Sequence, residues 1–516
     1  MSPQSYQNST FYWEYLPPEL RTIVLGLLLA NLNEETTIPP RYHILSAYAT
    51  VCREWQYFFE RRNFRTLTLH QSDLPEFNSI VQGQRRFFLQ WIWLRLELPE
   101  YDCRLCNKPE STVEINRNNS IFTNALWDLF AILSTWQKKR EFDEKGLTLE
   151  LSAHSPSDSK HLFKELDSRI NDTAWSRNED GYKEQPHDPT HGWGDGLRVQ
   201  WISEGDKMRV FGHPDGLKFN LRAQSARKMR TLPKLRLVKT LVIRRQFYRA
   251  FSVSKALQPI IKSLTQLENF TYEAWRGINT KHYSGRKTRD DENNILFLDV
   301  FKYRRSLRKV AIFEDYIESD DEETELETEP ERNTLLGEDL ARSSRNFEDL
   351  HASINVDAKD FFYAFWPGAN PKYKNEVKWK NLKYLSLTSL FLNPADYNQL
   401  IQTAALAAQR MPQLEVMELW NGGEGYACIF RYERRINQPR IQLLSTWLGQ
   451  LGTQEKESWR IVASEHSDYH ELQTEQIHLE TDLMEGYISV LSYLVLKGRL
   501  LNAISLQQKQ MEIRSL

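Results

Sequence analysis

A chain of 516 residues with 40% hydrophobic and 12% aromatic side chains can fill two or more domains or one extended repeat array, and it is too apolar to be mainly disordered. Its 67 basic and 69 acidic residues leave a net charge of −2, so no global field calls for nucleic acid or an anionic membrane. The 4 cysteines argue against a disulfide scaffold and suit a reducing compartment.

The first readable element begins at Pro17 and Pro18, where a helix start loses nothing by a missing N–H and Glu19 faces the positive end of the dipole. Leu20, Ile23, Val24, Leu27 and Leu28 then recur at offsets that place them on one helical face. A second run sets Leu45, Tyr48, Cys52, Trp55 and Phe59 on one stripe, widened by Val51 and Phe58, after a Pro-containing loop from Thr36 to Arg41. Two short amphipathic helices cannot bury both stripes against each other, so apolar surface is left for the rest of the chain or for a partner.

LPPEL, followed after a helix and a loop by VCREW, resembles the F-box, the short three-helix adaptor of eukaryotic ubiquitin ligases. The resemblance covers Trp13 to Phe64 and departs from the family at Asn31 to Arg41, which is longer and more polar than the usual link. It implies binding to a Skp1-type adaptor, and through it a cullin, by Leu16, Pro17, Leu20, Ile23, Leu27, Leu45, Val51, Cys52 and Trp55.

Beyond this stretch, Leu67 and Leu69 form one face of a short strand, Leu74 to Gln90 reads as a helix, and Leu94, Leu96 and Leu98 alternate along a second strand. A helix around Ile121 to Gln137 leads into a third strand with Leu147, Leu149 and Leu151 on one face. Strands alternating with helices predict a parallel sheet tied by crossovers. Ser155 to Gly216 is rich in Asp, Asn, His, Gly and Pro and reads as a long surface insertion with a short strand at Leu197 to Ile202.

From Leu232 the pattern repeats, with central residues Leu241, Phe270, Val310, Leu350, Leu385 and Met417, and helical runs at Ser254 to Leu264, Ala358 to Trp366 and Pro394 to Arg410. Asn393 and Pro394 read as the cap and first residue of the last run. These LxxLxL-like units resemble degenerate leucine-rich repeats across Arg65 to Trp420. Their spacings of 29, 40, 40, 35 and 32 residues are long and irregular, and most units lack the family's asparagine ladder. The acidic run Glu318 to Glu331 reads as a solvated loop, and Arg222 to Arg230 and Arg244 to Arg249 as solvated repeat face. Cys428 to Tyr432 and Ser458 to Ser464 are expected as edge strands or caps, and the amphipathic stretch from Leu483 to Leu516 as a terminal cap. The expected fold class is α/β: F-box-like helices at 11–64, an irregular leucine-rich-repeat-like solenoid at 65–432 with insertions at about 155–216 and 316–340, and a C-terminal cap region at 433–516.

Cys103 and Cys106 form a CxxC, but zinc wants four ligands. The remaining cysteines are remote, and His154 and His161 are the nearest histidines, so no metal is expected. His187, His191 and His213, with Asp188 and Asp195, fall in the polar insertion and read as solvated. No phosphate-binding loop, dinucleotide fingerprint, HExxH or GxSxG occurs, so no catalytic residue, cofactor or enzymatic activity is expected. Trp193, Trp201, Trp275, Trp366, Trp379 and Trp420 are candidate anchors of a recognition face. MSPQSYQNST lacks the basic start and apolar core of a secretory signal, and no run is long enough to span a membrane. The resulting expectation is an intracellular protein, cytoplasmic and/or nuclear, that serves as substrate-recognition subunit of an SCF-type ubiquitin ligase with an unknown protein client. The alternative is a non-catalytic repeat scaffold whose N-terminal helices only cap the array.

Overall fold

The leucine-rich units become strands of one sheet in a computed structural model, which describes residues 13–34, 41–138, 146–161, 187–194, 197–198, 203–220, 222–223, 231–275, 291–302, 304–315, 335–370, 377–435, 438–466 and 471–514. In chain order the strands are β1 (Thr66–Leu69), β2 (Trp91–Glu97), β3 (Leu147–His154), β4 (Trp193–Gly194) and β5 (Leu197–Arg198). Then come β6 (Val238–Ile243), β7 (Asn269–Trp275), β8 (Lys309–Asp315), β9 (Asp349–Asp357) and β10 (Tyr384–Thr388). The last are β11 (Val416–Gly423), β12 (Tyr426–Glu433), β13 (Arg440–Ser445) and β14 (Gln473–His478). β4 and β5 pair with each other; the other 12 form a mixed, mostly parallel sheet in sequence order. β1 to β11 are parallel neighbours, β11, β12 and β13 run antiparallel, and β14 is again parallel to β13.

Parallel neighbours need crossovers. Helices α4 (Leu74–Ile80) and α5 (Arg85–Phe88) join β1 to β2, and α6 (Thr112–Ser134) joins β2 to β3. Later connections carry helices at Gln258–Ser263, Ile295–Phe301, Leu335–Ser343, Ala358–Phe361 and Tyr397–Ala408. Their apolar faces share one core with the strands, through Leu126, Ile260, Phe297, Leu340 and Ile401.

Register explains why uneven spacing in the sequence still builds an even sheet. Ile92, Leu149, Leu241, Phe270, Val310, Leu350, Leu385, Met417, Tyr432 and Ile441 are successive cross-strand partners. None of them is more than 1% exposed, so the row is the seam where strands meet helices. Each such side chain contributes about 1.5–3 kcal/mol by leaving water. The six central residues of the repeating units all fall in this row, and the irregularity is confined to the crossovers.

The opposite face carries Trp93, Glu150, Val242, Thr271, Ala311, His351, Ser386, Glu418, Arg431 and Gln442 in register. Much of this polar row is buried, because the chain's last segment lies across it. Phe313, Trp420, Ile429 and Leu444 pack there against Met484, Tyr487, Ile488, Leu491, Leu500 and Leu501. The segment expected as an end cap instead returns over the sheet.

Other expectations are corrected by local physics. The second N-terminal run is two helices, α2 (Arg41–Tyr48) and α3 (Arg53–Asn63), after α1 (Pro18–Glu34). The Leu74–Gln90 helix divides into α4 and α5 around Gly83, whose φ of 55° leaves the helical region. Ser458 to Ser464 is not a strand: it lies in the helix Thr453–His466, which buries Trp459. Cys428 to Tyr432 is strand but not edge, pairing with β11 on one side and β13 on the other. Asn393 turns the chain by accepting from the N–H groups of Ala395 and Asp396, and the helix starts only at Tyr397. The described part of the insertion is folded, with helices α7 (Pro156–His161) and α8 (Glu204–Phe211) and buried Trp193, Val210 and Phe211. Arg244 and Arg249 are not solvated; they pair with Glu150 at 2.5 Å and Glu110 at 2.9 Å and are nearly inaccessible. The acidic run, Trp201, Asp195 and most of Arg222 to Arg230 lie outside the described residues. Among the described residues no helix is long and apolar enough to cross a membrane.

A buried and a half-buried histidine set an acid limit on this fold. Burial pushes His154 down to about 3 and His466 to about 4, with the Arg95 and Arg434 charges adding to the respective shifts. Both pKa values are depressed, so the stability they contribute is present above the unfolded value of 6.5 and is lost as pH falls toward the folded values. At pH 5 the loss is about 2 kcal/mol for His154 and less for the half-buried His466. Asp158, pushed up to about 6 by burial, acts in the opposite sense over the range below that value. The urea midpoint of His154→Gln is therefore expected to fall less between pH 7 and pH 5 than that of the unaltered chain; equal falls would remove His154 from the account.

Candidate protein-docking surface

Helix α1 is apolar nearly all round: Leu20, Ile23, Val24, Leu25, Leu27 and Leu28 leave no polar stripe wide enough for an ordinary surface helix. Leu25 is 1% exposed and marks the side facing the rest of the chain. Leu20, Ile23 and Leu27, spaced three and four residues apart, face outward at 46, 55 and 58% exposure. Among the described residues, a helix dressed for burial on both sides is covered on one side and short of a neighbour on the other.

Aromatic packing aligns the helices behind this face. Trp13 stands edge-on to Trp55 with ring centres 5.5 Å apart, and Tyr48, Trp55 and Phe59 form a tilted cluster. The Trp13 indole N–H donates to Glu54 at 3.0 Å, and Arg21 pairs with the same carboxylate at 3.2 Å. These contacts hold the start of α1 against the start of α3, so Pro17 and Leu20 share one end of the helical unit with Val51 and Cys52. Toward the sheet, Glu60 of α3 grips Arg85 of α5 at 2.6 Å and Tyr57 packs edge-on to Phe88. The Arg85 hydrogen bond holds the Glu60 carboxyl below its usual range against the opposing effect of burial.

Pro17, Leu20, Ile23, Leu27, Val51 and Cys52 are thus exposed, while Leu16, Leu45 and Trp55 are half-buried and split between packing and surface. Val51 is 59% exposed, which sets it apart from the Trp55 cluster beside it. Val24 and Leu28, read with the exposed stripe, turn partly inward instead.

The sheet face opposite the helices is occupied by the returning segment. The Glu418 carboxylate pairs with Arg431 at 2.6 Å and accepts from the N–H groups of Val495 and Leu496 at 2.9 and 2.8 Å. Arg431 also donates to the Tyr493 carbonyl at 2.5 Å. Further along, Arg499 pairs with Asp349 at 2.5 Å, and Glu273 accepts from the Asn502 N–H at 2.7 Å and from the Ser505 hydroxyl. Glu418 and Glu273 each sit at the start of a short helix, Lys497–Leu500 and Ala503–Arg514, where carboxylates satisfy open N–H groups. Burial raises the Glu273 carboxyl, opposed by these hydrogen bonds and the charge of Arg244. Burial would likewise raise Asp349, but His351 and Arg499 beside it outweigh that effect and hold it below the usual range.

Among the described residues, the candidate tryptophans do not form a contact face. Trp193, Trp275, Trp379 and Trp420 are at most 8% exposed and belong to the interior; Trp366 is half-buried. Among the histidines, His154 stacks on Phe247 inside the fold and His213 lies apart on the turn after α8, whereas His191 lies beside the CxxC. Sequence reasoning missed this juxtaposition and the returning segment. Charged residues at core-alternating positions of strands, such as Glu273 and Glu418, are the signal that a second layer covers that face.

A family described only as a family of unknown function (DUF6546) matches residues 302–502. That span runs from the approach to β8 through most of the returning segment and leaves out α1 to α3. No curated protein matches the chain.

Proposed function

We propose that the chain is the substrate-recognition subunit of an SCF-type (Skp1–cullin–F-box) ubiquitin ligase. The unpartnered apolar stripe Leu20, Ile23 and Leu27 is the observation that carries this reading, supported by the LPPEL and VCREW signatures on the same helical unit. A Skp1-type adaptor would cover that stripe together with Pro17, Val51 and Cys52, burying on the order of 1,600 Å² in total. The sheet and its crossovers act as an irregular leucine-rich-repeat-like solenoid that holds a protein client. No residue of this chain performs chemistry: the contribution is proximity, bringing client lysines to a ubiquitin-charged enzyme supplied in trans. Such a protein works in the cytoplasm or nucleus.

The competing reading, a repeat scaffold capped by its N-terminal helices, requires the cap to cover its own apolar face. Leu27 at 58% exposure is not what a cap needs. The test is binding of the full chain to a purified Skp1-type adaptor, which the ligase reading expects to form a stable complex. A chain that stays monomeric beside the adaptor favours the scaffold.

A further inference from the structure

We propose that Cys103, Cys106, His191 and His161 form a structural zinc site that ties the folded insertion to the loop after β2. The three donor atoms of Cys103, Cys106 and His191 all lie within 4.8 Å of one another. The Cys103 sulfur is 2.9 Å from His191 Nε2, and His161 Nδ1 is 3.2 Å from that same nitrogen. Ligand atoms around a tetrahedral zinc, with Zn–S near 2.3 Å and Zn–N near 2.0–2.1 Å, stand roughly 3.5 Å apart, so shifts of about an ångström, outward for the close pairs and inward for the wider ones, would seat the ion.

Orientation argues for a metal more strongly than distance does. Asp188 accepts from His191 Nδ1 at 2.7 Å, which holds the ring with its Nε2 edge toward the sulfur. A carboxylate behind a histidine is the arrangement that sets the tautomer of a metal-bound imidazole. Tyr101 stacks on the His161 ring, and its hydroxyl donates to Asp158, steadying the second imidazole. Two thiols and one imidazole nitrogen stand together, with a second imidazole nitrogen 3.2 Å from the first, and this donor set matches zinc among the common divalent ions. Each thiol gives up its proton to solvent on binding, and the ion takes both sulfur lone pairs with no change of oxidation state.

Three chain segments meet here: the loop after β2, the end of α7, and the turn Pro189–His191 before β4. The histidines are 30 positions apart, far from a zinc-finger spacing, which is why the motif cannot be read along the chain. The ion would add to the few buried side chains of the insertion, Trp193 among them, a direct tie between the turn before β4 and the loop after β2.

Elemental analysis of the purified full chain is expected to give one zinc per molecule, and cobalt replacement to give thiolate charge-transfer bands of a tetrahedral site. Cys103→Ser and His191→Ala should each abolish stoichiometric zinc, whereas Cys428→Ala, far from the site, should retain it. Asp188→Asn touches no ligand atom and should weaken zinc by about 10- to 100-fold in competition with a chelator. A metal-free chain that takes up no zinc or cobalt overturns the assignment, as does unchanged affinity in both Cys103→Ser and Asp188→Asn.

Discussion

Replacing Arg431 by alanine is expected to lower the unfolding free energy by about 3–5 kcal/mol, the cost of leaving a buried carboxylate without its partner. Glu418 is fully inaccessible, and Arg431 is one side of the cage around it; the other side is the pair of N–H groups from Val495 and Leu496. Removing the guanidinium also frees the Tyr493 carbonyl and the Gln442 side chain, both of which accept from it. The uncompensated charge sits in a low-dielectric layer between sheet and returning segment, so that segment loosens first. Urea unfolding and limited proteolysis read the two effects. A double variant, Glu418→Gln with Arg431→Met, removes both charges and should recover much of the loss. A single-variant loss under about 1 kcal/mol would mean that water reaches Glu418 and that the segment does not seal this face.

Ile23→Asp together with Leu27→Asp is expected to weaken binding to a Skp1-type adaptor by at least about 100-fold while leaving the urea midpoint unchanged. Two carboxylates at the centre of an apolar contact would each lose about 2 kcal/mol or more, and about 1.4 kcal/mol is a factor of ten. The folded chain should tolerate them because both positions are more than half exposed, and exposed substitutions rarely shift stability by more than about 0.5 kcal/mol. The contrast with Leu25→Asp is informative: that side chain is 1% exposed, so the same charge there should unfold the helical unit. If Ile23→Asp with Leu27→Asp binds as the unaltered chain does, the stripe is not the docking surface.

Much of the sheet was legible because strand formation depends on local alternation. Leu241, Phe270, Val310, Leu350, Leu385 and Met417 follow from a period of two, and the parallel pairing from helices lying between them. The spacing of the units mattered less than expected, since crossovers of unequal length still deliver strands into one register. What stayed hidden is everything decided by contacts between remote segments. Glu418 reads as an odd charge in a strand until residues 495 and 496 arrive to donate to it. Arg244 and Arg249 look like surface charge until Glu150 and Glu110 are placed beside them. Cys103 and His191 are 88 residues apart and meet only because a polar insertion folds back on the loop after β2. The apolar pattern of α1 was readable, but which of its apolar residues face out is set by where Trp13, Tyr48, Trp55 and Phe59 cluster.

The most direct measurement is hydrogen exchange of the full chain with and without a Skp1-type adaptor. A complex is expected in which new protection is concentrated in residues 18–34 and 51–63 and the sheet from β6 to β14 is unchanged. Protection centred on the sheet, or no complex at all, would contradict this expectation.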